Sequence, residues 1–60
     1  MKYAYIGEVT RRYAEKVIER HNVVAITGEY ANGNVELGVP SNLPERAINL
    51  YIKGLERGRL

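Results

Sequence analysis

The segment VVAITGEYANGNVELGV, residues 23–39, determines the fold of this 60-residue chain. Two strand-like runs, 23–30 and 34–39, flank the pair Asn32-Gly33. Asn-Gly between alternating strands is a strong hairpin signal, because both central residues of a type I′ turn need a positive φ. The segment therefore predicts strands 2 and 3 of an antiparallel hairpin.

A two-residue turn would also fix which side chains share a face of the sheet, because side chains alternate along a strand. Glu29 and Glu36 would then pair on the open face, together with Thr27 and Gly38. The opposite, apolar face would carry Val24 and three facing pairs: Tyr30 with Val35, Gly28 with Leu37, and Ile26 with Val39.

The hairpin is preceded by a strand and a helix. KYAYI, residues 2–6, alternates and is typical of a strand. From Tyr13 to His21 the apolar positions recur at offsets of 3 and 4, which predicts a helix over about Arg11–His21. Thr10 is placed to cap its start, and Asn22 is expected to end it in a left-handed conformation.

A second helix follows the hairpin, and the segment SNLPE begins it. Asn42 and Glu45 have the spacing of a capping box. Gly54 is expected to weaken this helix and Gly58 to end it. We expect Leu60, beyond that end, to be loose.

The predicted order is β-α-β-β-α, a single small α+β domain over residues 1–60. A three-stranded antiparallel sheet in order 1-3-2, with both helices packed on one face, satisfies the right-handed crossover rule. This arrangement resembles a ferredoxin-like fold without its last strand, so strand 1 is an open edge. Because so short a chain is marginal alone and has no cysteine, we expect a homodimer.

Both helices arrange their positive charges in stripes beside the apolar face. The candidate phosphate-binding residues are Arg12, Lys16 and Arg20 on helix 1 and Arg46, Lys53 and Arg57 on helix 2. If the helices pack antiparallel, the stripes line either the groove between them or the outer flanks. The alternative is an ordinary solvated surface, in which Arg12 pairs with Glu15 and Lys16 with Glu19 at helical spacing.

Four residues are candidates for a partner interface: Tyr3, Tyr5, Leu50 and Ile52. The apolar arc of helix 2, from Leu50 round to Ile52, exceeds what one sheet face covers. Tyr3 and Tyr5 share one side of strand 1. They would either stack nucleic-acid bases on the open face or, as we favour, face the core or pack in a dimer interface.

The sequence predicts no enzyme, cofactor or metal site. His21 is the only histidine and there is no cysteine. Residues 32–58 resemble the hairpin-plus-helix half of acylphosphatases, but IGEVTRR has one glycine where that family has a glycine-rich anion loop, and strand 2 has no Asn. The activity therefore does not carry over. Without a secretory signal or a membrane span, we expect a cytoplasmic protein.

Two functions remain open. The first is a dimeric nucleic-acid-binding or regulatory protein that contacts DNA or RNA phosphates through the basic stripes. The second is a protein-interaction module, such as a small inhibitor or adaptor, that docks through the sheet edge or helix 2. A net charge of +2 permits nucleic-acid binding without demanding it.

Overall fold

The computed structural model describes residues 2–60 and confirms the predicted order of elements. The elements are β1 (Tyr3–Val9), α1 (Arg11–Arg20), β2 (Ala25–Glu29), β3 (Val35–Pro40) and α2 (Glu45–Glu56). The strands form one antiparallel sheet in the order β1-β3-β2. No helix among residues 2–60 has the length and apolar character needed to cross a membrane.

The predicted hairpin register is wrong, because the turn is not type I′. Gly33 has a φ of 91°, but Asn32 does not have the positive φ that a type I′ turn requires, because only glycines have a positive φ in the described chain. The Gly33 amide bonds to the Tyr30 carbonyl at 3.0 Å, and Tyr30 pairs with Asn34 across a three-residue loop. Such a loop combines an ordinary turn with one left-handed glycine. It adds one residue to the connection.

An irregularity at Thr27 shifts the register again. On the hairpin side of this irregularity Glu29 opposes Val35 and Gly28 opposes Glu36. Beyond it, Ile26 opposes Leu37. Since Val35 is fully buried under the helices, Glu29 also lies on the helix side of the sheet. The expectation that Glu29 and Glu36 share the open face is therefore wrong.

Both helices pack on one side of the sheet around a single core. β3 supplies three of the buried residues, α1 two and β1 one, while α2 has no fully buried residue and contributes half-buried side chains. Fully burying an aliphatic side chain contributes about 1.5–3 kcal/mol, so a core with so few fully buried side chains gives limited stabilisation. The buried residues are Ile6, Ala14, Val17, Val24, Val35, Leu37 and Val39.

The helix ends agree with the sequence only in part. Thr10 caps α1 as predicted, its side chain accepting from the Tyr13 amide at 3.2 Å. Asn22 is not left-handed, and α2 begins after Pro44 without a side-chain cap. Gly58 ends α2 as predicted, with a φ of 67°.

The segment after α2 is ordered, contrary to our expectation for Leu60. The amides of Gly58 and Arg59 bond to the carbonyls of Leu55 and Gly54, the pairing of a Schellman motif. Leu60 is half-buried and packs against the core cluster. A Cβ on Gly54 would lie 2.9 Å from Leu60 Cδ2, so the missing side chain makes room for Leu60.

Candidate functional site

The basic stripe of α1 lies on the exposed surface. Arg12, Lys16 and Arg20 follow each other at four-residue intervals, which aligns them along one face of a helix. The Arg20 guanidinium donates to the Leu60 carbonyl at 3.5 Å, so this end of the stripe reaches toward α2. The Thr10 cap fixes where α1 begins, and the packing of its apolar face on the core turns the stripe outward.

The basic stripe of α2 is exposed as well. Arg46 and Lys53 are seven residues apart, so they differ by about 20° around the helix, and Arg57 follows one turn later. Arg46 and Lys53 border one shallow hollow together with Leu50. Tyr51, about 160° from Lys53, contacts the His21 ring edge-on at 5.7 Å.

The two stripes therefore do not lie symmetrically. Because Tyr51 packs on the core and on His21 while Lys53 points nearly the opposite way, the α2 stripe faces solvent. The α1 stripe borders the side facing α2, where Arg20 reaches Leu60.

The six stripe residues make no ion pair within the described chain. The salt bridge found among residues 2–60 joins Arg11 to Glu29 at 2.6 Å, between side chains that are 51% and 67% exposed. The pairs within α1 that would neutralise the stripe, such as Arg12 with Glu15, do not form. Arg11 belongs to the other flank of α1, in a mixed stripe with Glu15 and Glu19.

The open face of the sheet is acidic and aromatic. Glu8 and Glu36 are opposite each other on β1 and β3. Thr27 Oγ1 and the Tyr30 hydroxyl donate to the two oxygens of Glu36 at 2.6 and 3.3 Å, and Asn34 Nδ2 donates to Glu8 at 2.8 Å. The pKa of Tyr30 is raised above 10.0, first by desolvation and then by the negative charge of Glu36. This hydroxyl therefore stays protonated.

Tyr3 and Tyr5 also lie on the open face. They are 43% and 58% exposed, and Tyr5 is opposite Gly38. The expectation that they face the core is therefore wrong, and their packing in a dimer interface stays a prediction. Because the neighbouring carboxylates would repel phosphates, this face is a poorer nucleic-acid surface than the helices.

Three of the partner-interface candidates lie near α2, on two different sides of it. Tyr5 and Ile52 border a hollow between β1 and α2, together with Leu55 and Glu56. Leu50 is 64% exposed and lies on the far side of the helix. Sequence reasoning did not find this hollow, because it forms only where α2 packs on β1.

Metal-ligating side chains are not clustered in the described part of the chain. Residues 2–60 hold no group of three His, Cys, Asp or Glu side chains that could bind a metal ion. His21 caps the end of α1 and packs on Tyr51. Comparison with protein-family models, with curated proteins and with solved structures finds no match.

Proposed function

We propose that this protein is a small, non-enzymatic, cytoplasmic nucleic-acid-binding protein that contacts phosphates through the basic stripes of α1 and α2. One observation carries the proposal. All six stripe residues are exposed and none has a carboxylate partner among residues 2–60. Lys and Arg side chains that are free of carboxylates can replace the counterions of a phosphate backbone.

The distribution of charge supports the same surface. The segments 11–20 and 45–60 each hold four Lys or Arg and two Glu, whereas the rest of the chain has one Lys and three Glu. The two helical segments are thus positive and the rest of the chain is negative, although the net charge is only +2. Such a dipolar molecule would approach an anionic polymer with its helices forward.

The expected binding is dominated by phosphate contacts and depends little on base sequence. Six contacts to a DNA duplex would lower the affinity about a thousandfold between about 50 and 200 mM salt. Fluorescence anisotropy with labelled duplex DNA and with single-stranded RNA measures this dependence. It also compares the two kinds of nucleic acid.

The variant Lys16→Glu/Arg20→Glu should abolish binding while the circular dichroism spectrum stays that of the folded protein. Lys2→Glu is the matched control, because Lys2 is an exposed cation outside both helices. Its effect on affinity should be small. Absence of binding at low salt, or an equal loss per charge in Lys2→Glu, would refute the assignment.

A second candidate, a protein-interaction module, is favoured by the exposure of α2. No residue of this helix is fully buried, and Leu50 is 64% exposed beside Arg46 and Lys53. A homodimer through Leu50 would enlarge a core that is small for independent stability. It would also bring the α2 stripes together, so it would compete with nucleic acid for the helix layer.

Salt separates the two candidates. Because like charges meet in the Leu50 dimer, association should strengthen with salt, whereas nucleic-acid binding should weaken. Sedimentation equilibrium at about 50 and 500 mM salt measures this association. Leu50→Ser should give a monomer, and Asn49→Ser, at the exposed neighbouring position, should not. A monomer under both salt conditions excludes the dimer.

A further inference from the structure

A hollow of about 330 Å³ runs between the outer edge of β1 and the adjacent side of α2. Ile52 and Leu55 from α2 and Val9 from β1 give it an apolar lining. Ile52 and Leu55 are only half-buried, although they also pack against the core. The hollow is large enough to admit an aliphatic side chain.

The backbone beside this hollow is free to pair. β1 lies at one edge of the sheet and is hydrogen-bonded to β3 on its other side. Its seven residues, Tyr3–Val9, therefore present outward N–H and C=O groups that no strand of this chain satisfies. An edge strand of this kind is a template for an added strand.

The charge around the hollow is negative. Glu8 and Glu56 lie among its lining residues, and no Lys or Arg does. On the open side of the sheet Glu36 lies opposite Glu8 and adds a further carboxylate. A ligand lying along β1 would thus meet carboxylates on both faces of the added strand.

We propose that the β1 edge binds an extended segment of a partner protein in which one aliphatic residue alternates with Lys or Arg. The segment adds a strand to β1, its aliphatic side chain enters the hollow over Ile52 and Leu55, and its cations lie on the open face of the sheet near Glu8. The alternation follows from the strand, whose successive side chains point to opposite faces.

Charge selects this partner over a second copy of the chain. A second copy would offer its own β1, which carries Glu8 and no cation, so it lacks the alternating positive charges that complement the carboxylates of this edge. The proposal does not rest on nucleic-acid binding, because the β1 edge and the basic stripes use different residues. A partner segment and a nucleic acid could be bound together.

The test uses a fluorescein-labelled peptide, acetyl-Thr-Lys-Val-Lys-Leu-Lys-Val-Lys-Thr-amide, and the whole protein. Two matched peptides accompany it, one with Glu in place of Lys and one with N-methylated backbone amides that cannot pair with a strand. Anisotropy should show binding of the first peptide and about tenfold or greater weakening for each of the others.

Glu8→Lys should weaken binding of the first peptide about tenfold or more, whereas Glu15→Lys on α1, which makes the same change in net charge, should have little effect. Amide chemical shifts should change along residues 3–9 when the peptide binds. Equal binding of the N-methylated peptide, equal weakening by the two protein variants, or shifts confined to the helices would each overturn the proposal. Shifts along β1 with added protein alone would assign the edge to a second copy instead.

Discussion

Leu55 of α2 packs directly onto Gly7 of β1. A Cβ placed on Gly7 would lie 2.5 Å from Leu55 Cδ2, closer than any real contact allows. Gly7 follows the irregularity in β1 at which the pairing with β3 shifts. The absence of a side chain at this position lets α2 approach the edge strand and shapes one wall of the β1 hollow.

Gly7→Ala should therefore destabilise the protein by about 1–3 kcal/mol, the usual cost of forcing an extra methyl group into a packed site. Urea denaturation measures the loss. Gly28→Ala is the matched control, since its Cβ would lie 3.8 Å from Glu36 Cβ in ordinary contact. It should leave stability unchanged or raise it by less than about 1 kcal/mol.

The contact with Leu55 can be isolated by a double-mutant cycle. Adding Leu55→Ala to Gly7→Ala removes the clashing methyl group, so the double variant should be less destabilised than the two single losses together. Strictly additive losses would show that the cost of Gly7→Ala has another origin.

Much of the fold was predictable because it depends on local chemistry. The Asn-Gly pair marks the hairpin, the offsets of 3 and 4 mark α1, and Thr10 marks its first turn. The register was not predictable in the same way. It depends on the φ of Asn32 and on the irregularity at Thr27, and the sequence permits a two-residue turn as readily as the observed three-residue loop.

The candidate site divides along the same line. Exposure of Arg12 and Lys16 follows from the helical phase of α1, which the apolar residues define. The position of Glu29 could not be predicted without the observed register of the hairpin. The β1 hollow could not be predicted without knowing that Leu55 packs on Gly7. Neither of these tertiary details leaves a periodic signal in the sequence.

Thr10→Ala should lower stability by about 1 kcal/mol, because the Tyr13 amide loses the acceptor that caps α1. Thr10→Ser keeps the hydroxyl and should retain most of the stability. The measurement is the denaturation midpoint of each variant. An equal loss in both would mean that the threonine methyl group, and not the cap, is responsible.

Gly54→Ala sets two effects against each other. Alanine favours a helix interior over glycine by about 1 kcal/mol, but the new methyl group would meet Leu60. We expect the gain in stability to be smaller in the natural chain than in a Leu60→Ala background, where the space is empty. The two differences in unfolding free energy give the comparison, and identical gains would show that Leu60 moves aside without cost.

Tyr30 should make stability depend on alkaline pH. Its folded-state pKa lies above the value of 10.0 expected for the unfolded chain, through desolvation first and then the charge of Glu36. Below pH 10 tyrosine is neutral in both states. As the pH rises toward the folded pKa, the unfolded state loses its proton first, so stability falls.

Tyr30→Phe should remove this component of the pH dependence, and Glu36→Gln should reduce it, because the variant loses both the negative charge and the charged acceptor beside the hydroxyl. Absorbance at 295 nm during an alkaline titration follows tyrosinate formation in the folded protein, and denaturation at each pH gives the stability. The difference between the natural chain and Tyr30→Phe isolates the titration of Tyr30. A midpoint at or below pH 10 for that difference would contradict the contact between Tyr30 and Glu36.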